Sequence, residues 1–272
     1  GAPPDTFNPG GQDWGLPPFV PHRLRAAAYE PFVETLRAAL RHAGGLRIDH
    51  VMGLFRLFWV PWSAGATPGA YVRYPADDLL AIVALESHRA GAVIVGEDLG
   101  TVEEEVRGAL AARQILSYRL LWFEAELPGR YPALSLAAVS THDLPTIAGV
   151  WTGADLDAQR AAGLPGDEAA ARALHDRLRA VTGVVADATV DQVVTQIHER
   201  LAEAPSAWIV ATLDDALAAP DRPNLPGTTT ERPNWALPLP EPIEVIERHP
   251  LVRAVATALA GSPPADDPAR RC

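Results

Sequence analysis

The sequence predicts an α/β fold in which parallel strands alternate with helices, as in a (β/α)8 TIM barrel. Three apolar runs end in polar tips, each tip carries a carboxylate, and the carboxylates are almost evenly spaced. The runs are LRIDHV (46–51), VIVGEDLGT (93–101) and VSTHDLPT (139–146). Their acids, Asp49, Glu97 and Asp143, lie 48 and then 46 residues apart. Because each strand end of a parallel barrel delivers side chains to one face, we expect the three acids to meet there.

The composition limits the classes of protein to which the chain can belong. With 272 residues, of which 48% are hydrophobic, the chain can bury a sizeable core and has the length of an α/β barrel. Its net charge of −11 argues against nucleic acid as a partner but is compatible with a neutral substrate. The one cysteine, Cys272, excludes a disulfide framework and favours a reducing compartment. No apolar run has membrane-spanning length and no signal-peptide pattern opens the sequence, so we expect a cytoplasmic protein without a membrane partner.

In the first third of the chain, loops alternate with helices around the first strand. Proline and glycine occur at turn-forming density in residues 1–22, which predicts a long loop. Apolar residues at helical spacing predict a helix over 30–43, ended by two glycines, and the strand 46–51 follows. Residues 52–75 are rich in aromatic residues and broken by proline and glycine, so a loop with short elements is predicted, before a helix over 76–90.

The middle of the chain contains the clearest strand. The apolar run 92–99 does not alternate, which is typical of a parallel strand buried on both faces. Thr101 and Glu104 form a capping-box pattern, which predicts the start of a helix. Two further strands are predicted at 117–124 and 133–143.

The last part of the chain is predicted to be helical, with one strand and a long loop. The alanine-rich stretch 153–205 favours helix and contains a second capping box at Thr189 and Gln192. A strand is predicted at 208–217. Seven prolines between 220 and 242 predict a loop across the mouth of the barrel.

The number of strands predicts an incomplete barrel. A last helix over 243–259 and a disordered tail at 261–272 complete the assignment. Only about five strand candidates are present, whereas a closed barrel of this class needs about eight. We therefore expect residues 1–260 to hold about strands 4 to 8 and their helices, with the first strands of the barrel missing from this chain.

Two of the acids have the surroundings that glycoside chemistry requires of a nucleophile and a proton donor. The apolar strand before Glu97 is expected to raise the pKa of its carboxyl group and keep it protonated. Arg47 lies on the same face of its strand as Asp49, where a guanidinium favours the ionised carboxylate. Asp98 is predicted to cap the following turn. Two alternatives stay open: the acids could be helix N-caps, and Arg47 and Asp49 could form a purely structural ion pair.

The third tip suits a sugar-binding role. His142 and Asp143 together can hold vicinal hydroxyl groups of one sugar ring, with hydrogen bonds that strengthen in the transition state. Trp14 and Trp235 lie in predicted loops, where binding residues concentrate, and indole rings stack on the apolar faces of sugars. Three other tryptophans are predicted to pack in the core: Trp59, Trp122 and Trp208.

The sequence lacks the motifs of several other common functional sites. The eight histidines are scattered singly, and no spacing resembles a metal site, so no metal is predicted. The sequence contains no GxSxG elbow, no P-loop and no GxGxxG fingerprint.

Five motifs together resemble those of the 4-α-glucanotransferases, also called amylomaltases or disproportionating enzymes, in glycoside hydrolase family 77. Three resemble the catalytic-strand motifs of that family: GGLRIDHVMGL (44–54), VIVGEDLGT (93–101) and STHDLPT (140–146). Two resemble its loops: GQDWGLPPF (11–19) and NLPGTTTERPNW (224–235). The resemblance covers about residues 5–260. One departure is Leu16, where the family often has asparagine.

The resemblance implies a retaining transglycosylase that acts on maltooligosaccharides and other α-1,4-glucans without a metal or organic cofactor. Asp49 is implied to be the nucleophile that forms a covalent glucosyl-enzyme, and Glu97 the general acid and base. Asp143 is implied to be the third catalytic acid. The implied substrate-binding residues are Arg47, His50, His142, Gln12, Trp14 and Asn224. Two other functions stay open: an α-glucan hydrolase of the α-amylase clan, and a catalytically incomplete fragment that only binds glucan.

Overall fold

The protein is a mixed α/β chain, described by a computed structural model for residues 1–4, 10–100 and 102–260. It divides into two units, Gly1–Tyr118 and Arg119–Cys272. No helix within these described ranges has the length and apolar character needed to cross a bilayer. The mixed α/β class predicted from the sequence is confirmed.

In the first unit, strands and helices alternate along most of the chain. Its helices are α1 (Pro21–Ala26), α2 (Glu30–Leu40), α3 (Ala76–Ala90) and α4 (Glu104–Ala111), with a 3-10 turn at Val51–Leu54. Its strands are β1 (Gly45–Ile48), β2 (Arg56–Trp59), β3 (Ala70–Arg73) and β4 (Val93–Gly96). Strand β5 (Ser117–Leu120) crosses into the second unit.

The second unit is mainly helical. Its helices are α5 (Ile147–Thr152), α6 (Ala154–Ala161), α7 (Glu168–Thr182), α8 (Val190–Leu201), α9 (Leu213–Ala216), α10 (Ile243–Ile246) and α11 (Pro250–Ala260), with a 3-10 turn at Pro128–Arg130. Its strands are the end of β5, β6 (Ser135–Ala138) and β7 (Trp208–Ile209), which form a sheet in that order. Strands β6 and β7 are parallel, with Leu136 opposite Trp208.

The parallel pair β1 and β4 is the frame of the first unit. Gly45 lies opposite Val93 and Ile48 opposite Gly96, so both strands end at the same level. A Cβ on Gly96 would lie 3.0 Å from the side chain of Val51, which favours glycine where the chain after β1 crosses the end of β4. The carboxyl ends of β1 and β4 therefore lie side by side.

Each unit has its own buried apolar core. In the first, residues of α2, α3 and α4 pack with β4 and the 3-10 turn, and the most buried members include Val51, Leu80 and Val83. In the second, α7 and α8 supply Leu178, Val193 and Ile197. Trp122 is buried in this second core, as the sequence predicted.

Several predicted elements are confirmed. The helix predicted over 76–90 has those bounds, and α8 begins with the predicted capping box, in which Thr189 and Gln192 exchange side-chain and backbone hydrogen bonds. The capping box predicted at Thr101 and the tail at 261–272 lie outside the described residues.

Other predicted elements were wrong in detail. The strand predicted at 208–217 stops at Ile209, because Thr212 caps the short helix α9. The helix predicted over 243–259 is two helices, α10 and α11, and α11 starts at Pro250. By contrast, the loop with short elements predicted at 52–75 is confirmed, since it contains the short antiparallel pair β2–β3. Trp208, predicted to be in the core, is 37% exposed on the edge strand β7.

Candidate active site

Two carboxylates follow the paired ends of β1 and β4. The amide of Glu97 donates to the carbonyl of Ile48 at 2.9 Å, and the amide of Val51 donates to the carbonyl of Glu97 at 3.0 Å. These bonds continue the ladder past the register pair Ile48–Gly96, so Asp49 and Glu97 emerge from adjacent strand ends. Neighbouring strands are about 4.8 Å apart, so the two side chains start from neighbouring backbone positions.

The Glu97 carboxylate is buried and held by backbone amides. The residue is 9% exposed; Oε2 accepts from the amide of His50 at 2.8 Å and Oε1 from the amide of Leu99 at 2.7 Å. Burial raises the pKa of Glu97, and the charge of Asp49 adds to the shift, against the opposing effect of the two amides and Arg47. A carboxyl group in these surroundings is suited to carry a proton at a higher pH than an exposed one does.

Asp49 has the opposite surroundings. Its side chain is 76% exposed, and its Oδ1 lies 2.7 Å from Nη1 of Arg47. The Arg47 guanidinium also lies over the ring of Tyr118, 5.6 Å from its centroid, and the amide of Tyr118 donates to Asp98 Oδ1 at 2.8 Å. Asp49 is thus an exposed carboxylate in direct contact with a guanidinium.

Gln12, Trp14 and His50 form one cluster in the first unit. Trp14 Nε1 donates to Gln12 Oε1 at 2.9 Å, and the Trp14 ring meets the His50 ring edge-on, with centroids 5.2 Å apart. His50 has a left-handed backbone (φ 43°), an uncommon conformation for a residue other than glycine. Burial lowers the pKa of His50, which favours a neutral imidazole that can both donate and accept hydrogen bonds.

In the second unit, His142, Asp143 and Asn224 are joined directly. Asp143 Oδ2 lies 3.2 Å from Nε2 of His142, and its Oδ1 accepts from Nδ2 of Asn224 at 2.7 Å. The amide of Asn224 also donates to the carbonyl of His142 at 3.1 Å. The carboxylate and the imidazole are therefore fixed next to each other, and both remain partly exposed.

Trp235 borders this group. Its ring lies 4.8 Å from the His142 ring, at an angle of 49°, and the residue is 64% exposed. Its backbone is left-handed (φ 61°), and its amide donates to the carbonyl of Pro223 at 2.9 Å. The proline-rich segment thus presents an indole face beside the polar cluster.

The family of the chain follows from its sequence relatives. A family model described as 4-alpha-glucanotransferase (Glyco_hydro_77) matches residues 1–243. The chain belongs to this glycoside hydrolase family. A 4-alpha-glucanotransferase of Mycobacterium tuberculosis is 45% identical in an alignment 264 residues long, which covers 89% of this chain and 36% of that protein. The 4-α-glucanotransferase family was also the one identified from the sequence motifs, and that prediction is confirmed.

Two solved structures have a similar fold. The crystal structure of amylomaltase from Corynebacterium glutamicum matches with a TM-score of 0.87 and 36% identity, over 95% of this chain and 42% of the other. Amylomaltase from Streptococcus agalactiae, in complex with acarbose, matches with a TM-score of 0.74 and 18% identity, over 95% of this chain and 50% of the other. The chain thus spans about half or less of the length of these relatives.

None of the three acids is a helix N-cap. The 3-10 turn after Asp49 begins after His50, which makes no side-chain cap, and α4 begins after Glu103. Helix α5 is capped by Thr146, whose Oγ1 accepts from the amide of Gly149 at 3.0 Å. The N-cap alternative is therefore wrong for all three. Asp98 accepts from the distant amide of Tyr118 at 2.8 Å. The turn that Asp98 was predicted to cap reaches Thr101, which lies outside the described residues.

The predicted contact between Arg47 and Asp49 is present as an ion pair. Because the Asp49 side chain is largely exposed, this pair adds at most about 1 kcal/mol to the stability of the fold.

Several polar residues that support the predicted site residues were not predicted from the sequence. The Arg47 guanidinium lies over the ring of Tyr118. Arg222 donates to the carbonyl of Asp143 and forms an ion pair with Asp155. The signal for Arg222 was its place two residues before Asn224, but burial of an arginine cannot be deduced from that spacing. The described residues contain no cluster of His, Cys, Asp or Glu side chains arranged to hold a metal ion.

Proposed function

We propose that the chain supplies the catalytic acids of a 4-α-glucanotransferase, which moves α-1,4-linked glucan segments between maltooligosaccharides with retention of configuration. One observation carries the proposal: two carboxyl groups emerge from adjacent strand ends in opposite surroundings. Asp49 is exposed and paired with Arg47, whereas Glu97 is buried with a raised pKa. An ionised nucleophile next to a protonated acid is the pairing that retaining glycoside chemistry uses.

In the first step, Asp49 attacks the anomeric carbon of the donor glucan, and the glycosidic C–O bond breaks as Glu97 gives its proton to the leaving oxygen. A covalent glucosyl-Asp49 ester results, and the shortened glucan departs. In the second step, the 4-hydroxyl of an acceptor glucan attacks the same carbon. Glu97 takes the hydroxyl proton, the ester bond breaks, and Asp49 is regenerated as a carboxylate.

The other predicted residues are assigned to substrate binding. Asp143 and His142 would hold hydroxyl groups of the transferred sugar, with Asn224 beside them. Gln12, Trp14 and His50 would contact the glucan from the first unit, through polar groups and one exposed indole face. A sugar ring has hydroxyl groups at its edge and apolar C–H faces. The polar side chains match the hydroxyl groups, and the indole ring matches the C–H faces.

The wider setting of the chain follows from the same proposal. We infer that residues 1–260 are the part of a (β/α)8 barrel that contains about strands 4 to 8, working in the cytoplasm on maltooligosaccharides. The parallel pairings of β1 with β4 and of β6 with β7 support a barrel. Neither nucleic acid nor an organic cofactor has a part in the reaction.

Incubation of the full natural protein with maltotriose tests the activity. Transfer produces glucose and a ladder of longer glucans, because a sugar hydroxyl resolves the intermediate. Hydrolysis alone, with water in that place, would produce only shorter sugars and would replace the proposal with a glucan hydrolase. The third function, a catalytically incomplete fragment that only binds glucan, is tested on this chain alone: lack of turnover supports it, and turnover contradicts it.

Variants of the two acids test the roles. We expect Asp49→Asn and Glu97→Gln each to lower kcat at least about a thousandfold, since each removes a group that acts in the transition state. A maltosyl fluoride donor, whose leaving group needs no proton, should restore fluoride release to Glu97→Gln but not to Asp49→Asn. Matched controls are Asp157→Asn and Glu199→Gln, two exposed acids outside the site. Full transfer by Asp49→Asn would contradict the nucleophile assignment.

A further inference from the structure

We propose that Arg222 is a positioning residue that fixes the backbone of Asp143, and that Asp155 holds Arg222 in place for this task. The inference rests on the proposed function, because it assigns a role in placing the sugar-binding acid. It concerns only the second unit, in which all three residues lie.

Two nitrogens of the Arg222 guanidinium donate hydrogen bonds, and the third lies in ion-pair contact with Asp155. Nη1 donates to the main-chain carbonyl of Asp143 at 2.9 Å. Nη2 donates to Asp155 Oδ2 at 3.0 Å, and Nε lies 2.9 Å from Asp155 Oδ1. The planar fork of arginine permits this arrangement, in which two nitrogens face a carboxylate and a third reaches a separate carbonyl.

This contact is one of three that tie the segment 222–224 to the His142–Asp143 pair. Asn224 supplies the other two: its side chain donates to Asp143 Oδ1 at 2.7 Å, and its amide to the carbonyl of His142 at 3.1 Å. Backbone and carboxylate of Asp143 are thus both set by one short stretch of chain. A shift of Arg222 would move the carboxylate together with its backbone.

The ion pair between Arg222 and Asp155 is buried, and removing two charges from water costs free energy. Arg222 is 6% exposed and Asp155 is 7% exposed. Arg232 supports the same stretch, since its Nη2 donates to the carbonyl of Arg222 and to Asp221 Oδ1, each at 3.0 Å. Replacing a buried ion pair by apolar residues of similar size is often neutral or stabilising. Stability alone is therefore a weak reason for this pair, and placement of Asp143 is a better one.

The alternative is that Arg222 and Asp155 only stabilise the second unit. A double variant distinguishes this stabilising role from the positioning role. Arg222→Met alone leaves a buried carboxylate without its partner and is expected to lower the Tm strongly. Arg222→Met combined with Asp155→Leu removes both charges, so the Tm should recover. The contact with the Asp143 carbonyl stays lost in the double variant, so activity should not recover with the Tm.

The experiment uses the full natural protein with maltotriose as donor and acceptor. For the double variant we expect a Tm close to that of the wild type and a kcat ten- to a hundredfold lower, with KM changed less than about threefold. The stability control is Val193→Ala, which removes apolar contacts in the core of the same unit and should lower the Tm while kcat stays unchanged.

The outcomes are distinct. A double variant with recovered Tm and wild-type kcat would overturn the inference. If the double variant does not fold, Arg222→Lys decides, since lysine keeps the charge but cannot reach both Asp155 and the Asp143 carbonyl. A tenfold fall in kcat at near-normal Tm supports positioning, and an unchanged kcat overturns it. Absence of any transfer by the wild type would instead be a failure of the proposed function.

Discussion

At the scale of single residues, two identical functional groups are given different chemistry by their surroundings. Glu97 is buried and anchored by two amides, whereas Asp49 is exposed and paired with Arg47. Burial disfavours the charged form of a carboxyl group, and a neighbouring guanidinium favours it. In the proposed mechanism, the different roles of Glu97 as acid and Asp49 as nucleophile follow from one buried and one exposed position at adjacent strand ends.

The pH dependence of the first step should report the Glu97 proton. Since Glu97 must be protonated to donate, kcat/KM should fall as the pH rises through its pKa, which burial places above the ordinary value of 4.5. The measurement is the pH profile of initial rates on maltotriose. With maltosyl fluoride as donor, this alkaline limb should be missing from single-turnover fluoride release by Glu97→Gln. An alkaline limb within the ordinary carboxyl range would contradict a raised pKa.

The acids could be predicted from sequence because their positions are local consequences of the strand pattern. An apolar run ending at Ile48 or Gly96 predicts a strand end, and the next polar residue must emerge there. The residues behind Asp143 could not be predicted in this way. Arg222 and Asp155 are 67 residues apart, and only the fold brings them together. Sequence spacing carries no information about such a pair.

At the scale of elements, helix starts were more predictable than strand lengths. The Thr189 capping box and the apolar spacing of 76–90 act within one or two turns, so local sequence determines them. Strand β7 has two residues, because pairing with β6 ends where the chain turns into α9. That limit depends on a neighbour in the sheet, which an isolated apolar run does not reveal.

The start of α5 is held by a buried acid from a distant element. The Asp215 Oδ1 atom accepts from the amide of Ile147 at 2.8 Å, and its Oδ2 accepts from Thr212 at 3.1 Å. Burial raises the pKa of Asp215 from 3.8 to about 6. Between these values the folded protein binds more protons at this group than the unfolded chain does. Asp215 therefore reduces stability progressively as the pH rises from about 4 to 6.

Replacing Asp215 with asparagine should remove this pH dependence. The amide keeps an oxygen for Ile147 and can donate to Thr212, whose hydroxyl can rotate to accept. The variant should gain up to about 3 kcal/mol relative to wild type as the pH rises from 4 to 7, at about 1.4 kcal/mol per pKa unit. Thermal unfolding across that range measures the difference, with Asp157→Asn as the exposed control. A difference in Tm that stays constant with pH would contradict a raised pKa for Asp215.

At the scale of the whole molecule, the apolar residues form two separate cores. One core contains residues between Leu24 and Ile115, and the other contains residues between Leu121 and Val255. Each set lies within one of the two units. Because stability is not uniform across a structure, each unit is expected to open with its own free energy.

Core substitutions in the two units should therefore have separate effects. Leu80 and Leu178 are both fully buried, one in α3 and one in α7, so each change to alanine should cost about 2–5 kcal/mol from lost contacts and the remaining cavity. We expect Leu80→Ala to speed amide hydrogen exchange mainly in α3 and β4, and Leu178→Ala mainly in α7 and α8. Exchange followed by mass spectrometry on the full natural protein measures both. If either variant sped exchange equally in both units, the chain would unfold as one cooperative structure, and the two cores would not be energetically separate.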